Sequence, residues 1–209
     1  MSFVCRHTWT RGPETGKRCN LGPRMEDGYC VFHSELDEVR AYPDGLVRLL
    51  EDRMRRGLSF ERFCLEDTHL RHINLTGADL SGVNLSGADL SLSQLVKTRL
   101  AHADLNNAFL FAANLSEADL SEAYLLGADL SESDLFGASL RRAEAFGADL
   151  RRANLSLADL SGADLGDANL TEAAVNGASL RDANLENAVL EGVDLGRAAT
   201  GEAEAEAED

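Results

Sequence analysis

Near the start of the chain three cysteines and a histidine fall within one short stretch, CRHTWTRGPETGKRCNLGPRMEDGYCVFH. Cys5, Cys19, Cys30 and His33 follow the spacing C-x13-C-x10-C-x2-H, with glycine and proline between them and little that would build a core. A segment this small needs a staple. Disulfides are disfavoured in a reducing compartment, so three thiols and an imidazole point to a closed tetrahedral zinc site. Four protein ligands leave no open coordination position, which makes the expected role structural rather than catalytic. His7 is an alternative ligand, and free thiols are the competing reading.

The rest of the chain offers little further chemistry. Cys64 has His69 and His72 nearby, but it sits in repetitive sequence and reads as a thiol at a repeat position rather than a second metal site. No Ser/His/Asp constellation, phosphate-cradling glycine loop or dinucleotide fingerprint occurs. The many aspartates follow a repeat, so their pairing does not signal acid–base catalysis. Together these features point away from an enzyme. The N-terminal stretch resembles small Cys3His zinc knuckles, through Gly16-x-x-Cys19 and Tyr29-Cys30-x-x-His33.

Charge narrows the partner classes. The formal charge is −16; residues 1–57 carry a net +1 and residues 58–209 a net −17. A phosphate-backbone binder needs the opposite sign, so direct nucleic-acid binding by the second part is not expected. No charged-then-apolar leader and no apolar run of about 18 residues occurs, so a soluble cytoplasmic protein is expected.

The elements that must carry these residues are set by a period of five. From Phe60 to Leu195 a centre recurs every fifth residue without insertion; 25 of the 28 centres are leucine, the exceptions being Phe60, Ala145 and Val175. Two residues before the centre, 19 of 28 positions are alanine, and the position just before it is mostly Asp or Asn. Five residues turn an α-helix through about 500°, so these leucines would scatter around it. In a flat strand, odd spacing would send alternate leucines to opposite faces. The pattern closes if each unit is a short extended piece followed by a corner, with four corners to a square coil. Leucine and the small alanine then both point inward, since a narrow interior has no room for two large side chains per unit.

Nine corners carry glycine two after the centre, where a type II turn wants positive φ. Where Glu122 or Glu132 occupies that place, a different turn type is expected. At Arg141-Arg142-Ala143-Glu144-Ala145-Phe146 the inward leucine is missing, which predicts either a small void at Ala145 or a bulge that turns Phe146 inward.

The tandem A(D/N)LSG units over residues 58–197 are similar to those of the pentapeptide-repeat family. The resemblance implies an all-β solenoid, a right-handed quadrilateral β-helix. At four repeats per coil it would have about seven coils and, at ~4.8 Å between layers, a length of roughly 30–35 Å. Four regions follow: a zinc-binding knuckle at 1–36, a helical linker and cap at 37–57, the β-helix at 58–197, and a disordered acidic tail at 198–209. Within the cap, Asp44 is the expected N-cap, Leu46, Leu49, Leu50 and Met54 form one apolar stripe, and Gly57 is the stop. The last layer (Leu180, Leu185, Leu190, Leu195) has no such helix after it, so a homodimer through the C-terminal coil is one way to cover it.

Function on such a rod lies in departures from the repeat. Residues 20 apart share a face, which puts Tyr124, Leu126 and Phe146 on one face and Leu92, Phe109 and Phe111 on the next. All six occupy outward positions where the repeat elsewhere supplies polar residues, and together they form a candidate protein-binding patch. Arg141, Arg142, Arg151 and Arg152 form a basic belt on opposite faces, readable as offsetting local acidity. Two functions remain in view: a non-catalytic scaffold that binds a protein partner, and a B-DNA mimic acting on DNA gyrase or topoisomerase, as the family resemblance implies.

Overall fold

The structure, a computed structural model, describes residues 45–57, 60 and 65–198. The cysteine and histidine cluster at residues 5–33, the Asp44 N-cap, Cys64 and the acidic tail beyond residue 198 lie outside the described residues.

The ladder has a single rule. Every inter-coil bridge is parallel and joins residues 20 apart, from His69 with Asp89 to Asn169 with Val189. Four pentapeptides therefore make one coil, and the chain rises as a solenoid with four sides. The centres and the small residues two before them line the interior: Leu65 to Leu170 and the alanines from Ala88 to Ala168 are almost wholly buried. A core of paired large and small residues explains why a helix- or strand-period reading fails here.

One unit shows how the backbone is satisfied. In Ala128-Asp129-Leu130-Ser131-Glu132, the Ala128 amide closes the corner on the Leu125 carbonyl at 3.0 Å. The Asp129 amide donates to the Ala108 carbonyl of the coil before (2.9 Å), while the Leu130 and Glu132 amides donate to Asp149 and Arg151 of the coil after (both 2.8 Å). The remaining amide, of Ser131, donates to the Asp129 side chain at 3.0 Å. All five amides of the unit are paired, as a structure with no long strand requires. The Asp or Asn before the centre is thus a structural residue. Its Oδ1 accepts the amide two residues on, and Asn84, Asn114 and Asn154 do this as well as Asp79, Asp104 and Asp129.

The corners correct one expectation. Glu122 and Glu132 both have φ of 57°, and seventeen non-glycine corner residues from Asp67 to Asn187 share the left-handed conformation of the nine corner glycines. From Asp67 to Glu172 every corner amide donates to the coil after, and this ladder offsets the cost of about 1–2 kcal/mol per non-glycine corner. Side chains at those corners stack from coil to coil: Lys97 pairs with Glu117, Arg152 lies between Glu132 and Glu172, and the His102 imidazole stands 3.5 Å from the Glu122 carboxylate. Exposed pairs of this kind are each worth about 0–1 kcal/mol.

The bulge expected at Phe146 does not form. Phe146 stays outward and 43 % exposed, Ala145 is buried, and bridges from Tyr124 to Glu144 and from Glu144 to Asp164 keep the register. The coil spacing is held, so the interior at Ala145 lacks the isopropyl group that leucine supplies at the other centres of this column.

Before the coils, helix α1 spans Gly45–Arg55. Its Leu50 is buried in the common core, with Val47 and Met54 packed against it. Glu51 accepts the Asn74 amide at 3.1 Å, which ties the helix to the coils. Gly57, at φ 64°, ends the helix with its amide on the Met54 carbonyl, as glycine at a helix C-terminus does. At the far end the bridges stop at Val189, Leu185, Leu190 and Leu195 are only half-buried, and a 3-10 turn covers Leu195–Arg197. Among the described residues no helix is long and apolar enough to cross a membrane.

Candidate partner-binding surface

The six outward apolar residues expected from the sequence are all exposed, from 36 % at Leu92 to 51 % at Phe109. The ladder sets their columns. Asp104, Tyr124 and Glu144 are consecutive rungs on one side of the rod; Asp89, Phe109 and Asp129 are consecutive rungs on the next. Leu126 and Phe146 stand one coil apart beside Tyr124, while Phe111 stands two residues beyond Phe109. Each aromatic rung is therefore flanked above and below by a carboxylate.

Placing apolar residues here has a structural cost. Phe109 and Tyr124 occupy the slot in which Asp or Asn otherwise completes the turn, and neither ring can accept the amide two residues on. A hydrogen bond of this kind is worth about 0.5–1.5 kcal/mol net. At Tyr124 the loss is repaired from the neighbouring coil: Asn106 Oδ1 takes the Leu126 amide at 2.8 Å. Phe146 is accommodated differently. Its ring lies against Gly166 on the following coil, where any Cβ would meet it at 3.0 Å. A larger residue at 166 would have to push the ring away.

Three further exposed apolar residues were not expected from the sequence: Phe136 and Leu157 on the third side, and Val189 near the far end of the second. The signal was present, since each breaks the same outward-polar rule. They stand apart from the cluster formed by successive coils on adjoining sides, and clustering was the criterion that singled out the other six.

The arginine belt is largely neutralised. Arg141 donates to Asp159 at 2.8 Å, Arg151 donates to Asp149, and Arg152 bridges its two glutamates. The Arg151 hydrogen bond holds the Asp149 carboxyl below its usual range. Elsewhere Arg99 hydrogen-bonds Asp79 and, with the Ser81 hydroxyl, lowers that carboxyl to about 2. Among the described residues no group of three or more His, Cys, Asp or Glu side chains is arranged to hold a metal ion.

A square-coil solenoid with an apolar patch on an acidic surface belongs to the class of rigid repeat proteins that present extended faces. The family model for pentapeptide repeats matches residues 65–95, 113–152, 138–177 and 163–198, with eight copies, over more than half of the chain. The chain belongs to the pentapeptide-repeat family. No curated protein matches it. Among solved structures it is similar to trypsin-treated QnrB1, a plasmid-mediated fluoroquinolone resistance protein, at 24% identity over 65% of this chain and 71% of that one, with a TM-score of 0.47. Rfr23 of the cyanobacterium Cyanothece 51142, a pentapeptide repeat protein, matches at 31% identity over 61% of this chain and 90% of that one (TM-score 0.33). HetL of Nostoc sp. strain PCC 7120, involved in heterocyst differentiation regulation, matches at 26% identity over 73% and 96% (TM-score 0.19).

Proposed function

We propose that this protein is a non-catalytic, cytoplasmic interaction scaffold. In this reading it is a right-handed square rod of about seven coils, closed at its N-side by α1, that binds a protein partner through Leu92, Phe109, Phe111, Tyr124, Leu126 and Phe146. The observation that carries the reading is the occupation of turn-completing slots by Phe109, which forfeits a structural hydrogen bond for exposed apolar area, and by Tyr124, whose lost acceptor has to be replaced by Asn106 of another coil. Cys5, Cys19, Cys30 and His33 have the donor chemistry of a closed zinc site, and structural zinc in the N-terminal segment is part of the proposal. The half-buried last coil supports self-association of two copies end to end.

The test is affinity capture from the native host, comparing wild type with Tyr124→Ala/Phe146→Ala. Loss of a specific partner in the double variant is the expected result, and an unchanged partner set overturns the reading. A second reading, mimicry of B-DNA toward gyrase, is favoured by carboxylates repeated at coil spacing along one side of the rod. Unaffected supercoiling at micromolar protein would remove it.

A further inference from the structure

The four sides of the rod differ sharply in charge. On the side centred on Leu65, Leu85, Leu105, Leu125, Ala145, Leu165 and Leu185, the described outward residues include seven acids (Glu66, Asp67, Asp104, Glu144, Asp164, Asp167, Glu186) and no Lys, Arg or His. The ion pairs of Arg71, Lys97, Arg99, Arg141, Arg151 and Arg152 use carboxylates of the other three sides, and Asp104, Glu144 and Asp164 have no cation partner among the described residues. This same side carries Tyr124, Leu126 and Phe146. Its central column therefore reads Asp104, Tyr124, Glu144, Asp164 on four consecutive coils, with Leu126 and Phe146 alongside.

We infer that this side takes a basic amphipathic α-helix of a partner protein, laid along the rod axis. The inference rests on the scaffold reading and names the chemistry of its partner. Spacing selects the helix. Coils separated by ~4.8 Å place the four rungs at roughly 0, 5, 10 and 14 Å. Residues i, i+3, i+7 and i+10 of an α-helix fall at roughly 0, 4.5, 10.5 and 15 Å on a single face. An extended segment presents same-side residues every ~6.6 Å and loses register within two coils. The matching helix has cations at i, i+7 and i+10, facing Asp104, Glu144 and Asp164, and an apolar residue at i+3 facing Tyr124. A further apolar residue at i+4 reaches Leu126 and Phe146. Apolar anchors ringed by complementary charge are the recognition mode of helix-binding surfaces.

The probe is a labelled alanine-based helical peptide with arginine at i, i+7 and i+10 and leucine at i+3 and i+4. The control peptide has the same composition, with those residues scattered around the helix. Fluorescence anisotropy with the full-length protein is expected to give at least about tenfold tighter binding for the patterned peptide. Tyr124→Ser/Phe146→Ser should bring it down to the scrambled level. Asp104→Asn/Glu144→Gln, whose Asn can still accept the Asn106 amide, should weaken binding and flatten its salt dependence. Phe136→Ser on another side should change nothing, and circular dichroism of each variant checks the fold. Equal binding of the two peptides overturns the inference, as does equal loss from Phe136→Ser. If the patterned peptide fails while capture in the host still depends on Tyr124 and Phe146, the helix falls and the scaffold stands; if capture is also unchanged, both fall.

Discussion

Two stretches of the rod, Gly77–Leu95 and Phe109–Phe146, share one interior and have different exteriors. In both, the centres are wholly buried and the same amides climb the same ladder. Outward, the first is Asp, Asn, Ser and Gly until Leu92, whereas the second puts Phe109, Phe111, Tyr124, Leu126, Phe136 and Phe146 into solvent. The inward column specifies the solenoid, and the outward positions vary, even where the turn amide loses its Asp or Asn acceptor as at Phe109. Stability and recognition are thereby carried by different residues of the same pentapeptide.

The largest expected effect strikes what the two stretches share. Leu85 is fully buried between Leu65 and Leu105 in its column, and Leu85→Ala is expected to lower unfolding stability by about 2–5 kcal/mol through forfeited transfer energy and a cavity. Chemical denaturation checks it. A loss below about 1 kcal/mol would mean that the coils collapse around the gap, and the rigid-interior account would fail.

A smaller effect of opposite sign is expected where the second stretch lacks its leucine. Ala145→Leu should raise stability by about 0.5–2 kcal/mol by returning leucine to the level between Leu125 and Leu165 where alanine now stands. A lowered Tm would show that neighbouring side chains already occupy that volume and that the new methyl groups overpack it.

The exterior prediction separates the stretches most directly. Phe109→Asn restores an acceptor for the Phe111 amide, a gain of about 0.5–1 kcal/mol that offsets the packing of the half-exposed ring. Tm is expected to hold or rise while partner capture falls. A clear drop in Tm with capture intact would make Phe109 a packing residue and take it out of the binding surface.

How much of this was legible in the sequence depends on which force set each feature. The interior was legible because burial acts on residue type at a fixed period: leucine and alanine announced both inward sites, and Leu50, Met54 and Gly57 announced most of α1. The corners were not. Glycine preference suggested two turn types, but Glu122 and Gly127 take one conformation alike, each with its amide bonded to the coil after. The role of the pre-centre Asp or Asn was available from side-chain chemistry, since either residue accepts a backbone amide two positions on. Periodicity alone marks the position as polar and outward, and that does not distinguish a turn acceptor from surface charge. Phe136, Leu157 and Val189 were visible as exceptions to the outward-polar rule, and the 20-residue ladder places Phe136 and Leu157 on the third side and Val189 on the Phe109 side, four coils beyond it.

Acid should act unequally on the two stretches, and this is the smallest effect. Asp79 of the first stretch is held at about 2 by Arg99, against 3.8 for an ordinary carboxyl, whereas Glu144 of the second has no cation partner among the described residues. A carboxyl whose folded value is depressed contributes stability above its unfolded value and loses it as pH falls through the folded one, so the Asp79 contribution fades between about pH 4 and pH 2. The pair is half-exposed, so the contribution is small and shrinks with salt. Asp79→Asn keeps an oxygen for the Ser81 amide and removes the charge together with the oxygen that accepts from Arg99. Its Tm should match wild type at pH 2 and lie slightly below it at pH 7. Parallel Tm–pH curves for the two proteins would assign the acid sensitivity to carboxylates other than Asp79 and leave the Arg99 pair without a role in stability.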